Sequence, residues 1–79
     1  MKLLVVIPMT SYKTLLNRCP IESRMYRMLA NGIIEGQDGD QVVHILCEEA
    51  QADKLYELIS SVAPELLSSI QKAPLPADI

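Results

Sequence analysis

The sequence predicts an α+β fold, an antiparallel sheet with helices on one face, and three observations lead to it. Two apolar runs, Leu3-Leu4-Val5-Val6-Ile7 and Val42-Val43-His44-Ile45-Leu46-Cys47, have the length and β-favouring composition of covered strands. Two other stretches, one after Pro20 and one after Glu48, repeat apolar residues at helical spacing. A dense turn signal, Gly36-Gln37-Asp38-Gly39-Asp40, stands between the short run Ile33-Ile34-Glu35 and the second long run, and makes them a hairpin.

In chain order, the first strand is Leu3 to Ile7, stopped by Pro8 and covered on at least one face. Met9 to Arg18 mixes hydroxyls, two cations and an apolar pair, with Thr10 or Ser11 placed to cap a helical turn that buries Leu15 and Leu16. A better-marked helix follows, with Pro20 at its first position, Glu22 near its positive end, and Ile21, Met25, Met28 and Leu29 on one face. Asn31-Gly32 supplies a left-handed stop, beyond which Ile33 is expected to pack back on Met28.

After the hairpin, Glu48 and Glu49 open a second helix whose apolar stripe is Ala52, Leu55, Leu58, Ile59 and Val62, interrupted by Pro64. Leu66, Leu67 and Ile70 leave open whether residues 65–72 form a strand or a helical turn. Residues 1–72 are expected to be one domain. Residues 73–79 read as an extended or disordered tail, because Pro74 and Pro76 cannot join the interior of a ladder. With a last strand, the order is βαββαβ, that of a ferredoxin-like sandwich, in which the first and third strands are central and helices cover one face. The two long apolar runs fall on those central positions.

A chain of 79 residues hides only roughly 60% of the surface its unfolded form exposes. Yet 49% of its residues are hydrophobic, aromatics are 4%, and Trp and Phe are absent, so the core is small and aliphatic. With two cysteines and no evident metal cage to add stability, the apolar surplus points to a homo-oligomer. The net charge of −3 and the scattering of the seven basic residues argue against a nucleic-acid partner. The N-terminal apolar stretch is too short to span a bilayer and lacks a small-residue cleavage site, so no transmembrane segment is expected and the cytoplasm is the expected compartment.

The candidate binding site is the segment after the first strand. Thr10, Ser11 and Thr14 offer hydroxyls, Lys13, Arg18 and Arg24 offer positive charge, and a helix start offers free backbone amides, a combination suited to a small anion. The bland alternative is that the hydroxyls cap turns and the cations are solvated; no glycine-rich phosphate cradle is present. Cys19, His44 and Cys47 form a second constellation, a soft-cation set. Strand alternation puts positions 44 and 47 on opposite faces, so the expected role of Cys47 is burial and no metal ligand is assigned. Cys19 just before Pro20 is a third candidate, a thiol whose pKa a helix dipole would lower, but it lacks an identifiable base. The acid pairs Glu48/Glu49 and Asp38/Asp40 read as helix-end and turn residues. No catalytic residue and no cofactor are expected.

Met1-Lys2-Leu3-Leu4-Val5-Val6-Ile7-Pro8 opens like the PII-like signalling proteins, and the expected element order resembles their βαββαβ core. The resemblance implies a trimer with ligand sites in clefts between subunits, and binding of nucleotides, small anions or partner proteins. Two features depart from it: the loop between the second and third strands is only Gly36 to Asp40, and glycine-rich nucleotide-binding segments are not evident. No family binding residue transfers to a position here. The expected function is therefore a non-enzymatic regulatory or sensory module that binds a small ligand or partner protein as an oligomer, with a soft-metal-handling protein and a small thiol enzyme using Cys19 as alternatives.

Overall fold

Strand β1 (Lys2–Pro8) occupies the first apolar run in the computed structural model, which describes residues 2–21, 23–37 and 39–75. It is followed by α1 (Met9–Arg18), α2 (Arg24–Ala30), β2 (Ile33–Glu35), β3 (Val42–Glu48), α3 (Glu49–Val62), a 3-10 turn (Pro64–Ser69) and β4 (Gln71–Pro74). The four strands form one antiparallel sheet in the order β2-β3-β1-β4. The first and third strands are central, as expected. No residue separates β1 from α1, or β3 from α3.

Side-chain alternation divides the sheet into two unlike faces. Val5 and Ile7 of β1, with Val43, Ile45 and Cys47 of β3, are buried and share one core with Leu15, Met25, Leu29, Ala52, Leu55, Ile59, Ala63 and Ile70 from the helical segments and their flanks. The intervening residues point the other way. Leu4, Val6 and His44 are half-buried, while Leu46 on that face is 51% exposed.

The helical part differs from expectation in several places, each with a local cause. Met9–Arg18 is a helix of 10 residues rather than a single turn, because Ser11 and Leu15 fall one above the other and both bury. Neither Thr10 nor Ser11 caps it; the N-cap position is Pro8, which has no side-chain acceptor. Pro20 does not start the next helix. A residue before proline is forced toward the extended region, and Cys19 there (φ −99, ψ 142) ends α1 instead, its N–H donating to the Leu15 carbonyl at 3.0 Å. Helix α2 begins at Arg24, capped by Ser23, whose Oγ accepts from the Tyr26 N–H at 3.1 Å. The expected role of Glu22 lies outside the described residues.

The stop of α2 also differs. Gly32 does not take a positive φ, and Ile33 is 61% exposed on β2 rather than folded back on Met28. A glycine is needed at position 32 for space, since a Cβ would run into Val43 Cγ1. Left-handed backbone occurs instead in the hairpin, at Gly36 (φ 97) and Gly39 (φ 94). The expected participation of Asp38 in that turn lies outside the described residues.

The second helix matches its signals closely. Glu48 and Gln51 form a reciprocal capping box at the start of α3, Ala52, Leu55 and Ile59 are fully buried, Leu58 and Val62 are half-buried, and the helix ends before Pro64. Residues 65–72 divide between both readings, a 3-10 turn through Ser69 and then a strand. That strand carries Ala73 and Pro74 into the sheet. Pro74 is tolerated because β4 is an edge strand and the proline is its last residue; residues 76–79 of the expected tail lie outside the described residues. The element order thus contains one helix and one 3-10 turn more than a plain βαββαβ alternation.

Candidate functional site

The antiparallel register of β1 and β3 sets Pro8 opposite Val42, so the end of one central strand meets the start of the other. Helix α1 leaves from that point, and the hairpin turn arrives at it. Between them lies an open cleft of about 430 Å³ lined by Pro8, Met9, Thr10 and Lys13 on one side and by Gly39, Asp40, Gln41 and Val42 on the other. The Met9 N–H donates to the Gln41 carbonyl at 3.1 Å and ties the two walls together.

Helix chemistry gives this cleft its character. With Pro8 at the N-cap, the first-turn amides beyond Met9 meet no side-chain acceptor among the described residues, and no acidic residue stands in that turn to offset the positive end of the dipole. Thr10 adds a hydroxyl and Lys13, one turn on, adds an ammonium. Asp40 on the facing wall brings a carboxylate. The cleft is therefore polar and of mixed charge, suited to a small molecule with an anionic group toward α1 and a hydrogen-bond donor toward the turn.

Only part of the expected site gathers here. Thr10 and Lys13 line the cleft, whereas the Ser11 side chain is buried against the 3-10 turn, with its Oγ 3.0 Å from Ser69 Oγ. Thr14 Oγ1 donates to the Thr10 carbonyl at 3.0 Å, along its own helix. Arg18, at the far end of α1, pairs with Glu65 at 2.9 Å, and its hydrogen bond holds the Glu65 carboxyl below the usual glutamate range. Arg24 lies in a separate groove between α2 and α3, beside Met28, Ala50, Gln51 and Lys54.

Gly39, Asp40 and Gln41 enter the site without having been expected there. Their signal was present but indirect: in a hairpin feeding a central strand antiparallel to β1, the residues just before β3 must lie beside the end of β1.

The cysteines take structural positions. Cys47 is 7% exposed and faces the helices, while His44, which pairs with Val6, lies on the other sheet face. Burial, followed by the nearby Glu48 charge, pushes the Cys47 thiol up, against a smaller opposing effect of Lys72. Cys19 is also buried and closes α1 rather than opening a helix, with Sγ 3.9 Å from the Leu16 carbonyl, so the dipole that would have activated it is absent from its side. Among the described residues, no three His, Cys, Asp or Glu side chains converge on a point where an ion would sit. No helix among them is long and apolar enough to cross a membrane.

Comparison of the chain with protein-family models, with curated proteins and with solved structures finds no match. The class defined by fold and site is thus a small α+β domain with a four-stranded antiparallel sheet and a polar cleft at a helix N-terminus.

Proposed function

We propose that this chain is a non-enzymatic regulatory or sensory module of the PII-like, ferredoxin-like kind, acting in the cytoplasm as an oligomer and binding a small ligand with an anionic group. The observation that carries the reading is the start of α1, which has no side-chain cap and meets Thr10, Lys13 and the Gly39–Gln41 turn in one cleft. The central placement of β1 and β3 supports the ferredoxin-like description, with α1 and the 3-10 turn as additions to it. The apolar open face of the sheet supports association.

Titration with inorganic phosphate, followed through the backbone amide resonances of a ¹⁵N-labelled chain, tests the cleft. Saturable shifts centred on Thr10, Ser11 and Lys13, weakened several-fold by Lys13→Ala and strengthened by Asp40→Asn, are expected. Phosphate that leaves those amides unmoved, or binds equally well to the Lys13→Ala variant, overturns the reading.

A further inference from the structure

We infer that the open face of the sheet is the seat of a second copy of this chain, docked about a two-fold axis that passes over β3 between His44 and Leu46. This rests on the association part of the function proposed above, sets a two-fold arrangement in place of the trimer that the resemblance implies, and adds the surface and the pairs that set the register.

The face is assembled by register alone. Val6 stands beside His44, which stands beside Ile33; Leu4 stands beside Leu46 on one side and Ala73 on the other; Val42 lies between Pro8 and Glu35. Its middle is apolar apart from the half-buried His44, with Leu46 51% exposed, and the apolar surface runs out to Ile33, 61% exposed on the edge strand β2. Its margins are polar: Lys2 at one end, Gln71 on β4 and Glu35 at the other end. An apolar centre inside a polar rim is the anatomy of a protein interface.

Charge complementarity selects the occupant. Lys2 lies on β1 opposite Glu48, at the last residue of β3, and Glu35 lies on β2 opposite Val42, at the first. The two therefore flank β3 at its opposite ends and on its opposite sides. Halfway between them is the point on β3 between His44 and Leu46. A two-fold axis in the plane of the interface, through that point and across the Lys2–Glu35 diagonal, lays Lys2 of one copy over Glu35 of the other, and does so twice. Among the described residues neither side chain forms an ion pair within its own chain, while the Glu48 carboxylate beside Lys2 is turned to the start of α3.

Area sets the expected strength. Two central strands of seven residues and edge strands of three and four, ~4.8 Å apart, give a flat footprint on the order of 300 Å² per copy before side-chain relief. That lies below the roughly 800 Å² per partner of a standard interface, so a weak, reversible dimer with a dissociation constant on the order of 10–100 μM is expected.

Sedimentation of the intact chain over a concentration series tests the inference, with far-UV circular dichroism and thermal unfolding confirming that each variant stays folded. The expected result is a monomer–dimer equilibrium that Leu46→Lys weakens by at least ~10-fold. Lys2→Glu and Glu35→Lys each weaken it by ~3-fold or more, and the double variant, which restores opposite charges across the axis, returns to within ~2-fold of the parent. A monomer at ~100 μM overturns both the inference and the association on which it rests. A trimer, or a dimer indifferent to Leu46→Lys, overturns the inference and leaves association standing. A double charge variant as weak as the sum of its singles overturns the proposed axis.

Discussion

The Ser11 hydroxyl, near the start of α1, donates to Ser69 Oγ at the end of the 3-10 turn, 58 residues later. Its direction follows from the next link, because Ser69 spends its single proton on the Leu66 carbonyl at 2.7 Å. The residue first read as part of an anion site thus fastens the C-terminal segment to the first helix. Ser11→Ala removes one donor but leaves Ser69 bonded, and is expected to cost about 0.5–1.5 kcal/mol. Ser69→Ala also strands the buried Ser11 hydroxyl and frees the Leu66 carbonyl, for about 1–3 kcal/mol. Urea denaturation of the two variants should rank them in that order.

Gly32 and Gly39 make a second contrast. Alanine at 32 meets Val43 Cγ1, a fully buried side chain in the core, so Gly32→Ala is expected to cost about 1–3 kcal/mol through overpacking. Alanine at 39 has open space around it but must hold a positive φ, for about 1 kcal/mol. Trimming the obstacle distinguishes the two causes: Gly32→Ala combined with Val43→Ala should be less destabilised than the sum of the single changes, whereas Gly39→Ala with Val43→Ala should be additive.

Stability should fall at both ends of the pH scale, for different reasons. Glu65 has its pKa lowered on folding, chiefly by the Arg18 hydrogen bond, so its contribution is present above the usual glutamate value of 4.5 and is lost as pH falls through the folded value. Lys72 has its pKa raised, chiefly by the hydrogen bond to Asp53, so its contribution is present below 10.5 and is lost as pH rises through the folded value. Burial of Cys47, Tyr12 and Tyr56 raises their pKa values and acts in the same alkaline direction. Thermal unfolding against pH should lose part of its acid limb in Arg18→Ala and part of its alkaline limb in Asp53→Asn. Both pairs are exposed, so both effects should shrink in high salt.

Thiol chemistry gives a fourth expectation. Cys19 and Cys47 are each 7% exposed, and Cys47 ionises less readily than a free thiol. Alkylation of the native chain near neutral pH should be slow at both, and in denaturant both should react at the rate of an unstructured cysteine. Fast labelling of Cys19 in the folded state would revive the thiol-enzyme alternative.

What could be read from the sequence is what burial writes into it. The runs at 3–7 and 42–47, and the stripe at Ala52, Leu55 and Ile59, report directly on which side chains avoid water. Helix α1 is written more faintly, because Pro8 gives no capping side chain and no acid marks its first turn. Pro20 misled because proline follows a helix as readily as it begins one, and only the extended state it imposes on Cys19 tells the two apart. Of the cleft, Thr10 and Lys13 were legible as residues at the end of a strand. Gly39, Asp40 and Gln41 were not, since their place beside α1 is fixed by pairing between β1 and β3, which sequence spacing does not display.

The absence of any residue between β1 and α1 gives the fold a safeguard against misalignment. A strand that slips by one residue exchanges its two faces, an error a chain with apolar side chains on both faces of β1 would otherwise tolerate. Here the slip cannot stay local. Dragging Met9 along with Pro8 turns the phase of α1 by about 100°, which swings Leu15 and Ser11 out of the core and pulls Ser11 away from Ser69. The helix acts as a vernier on the strand, so a misaligned sheet is rejected by a helix that no longer fits.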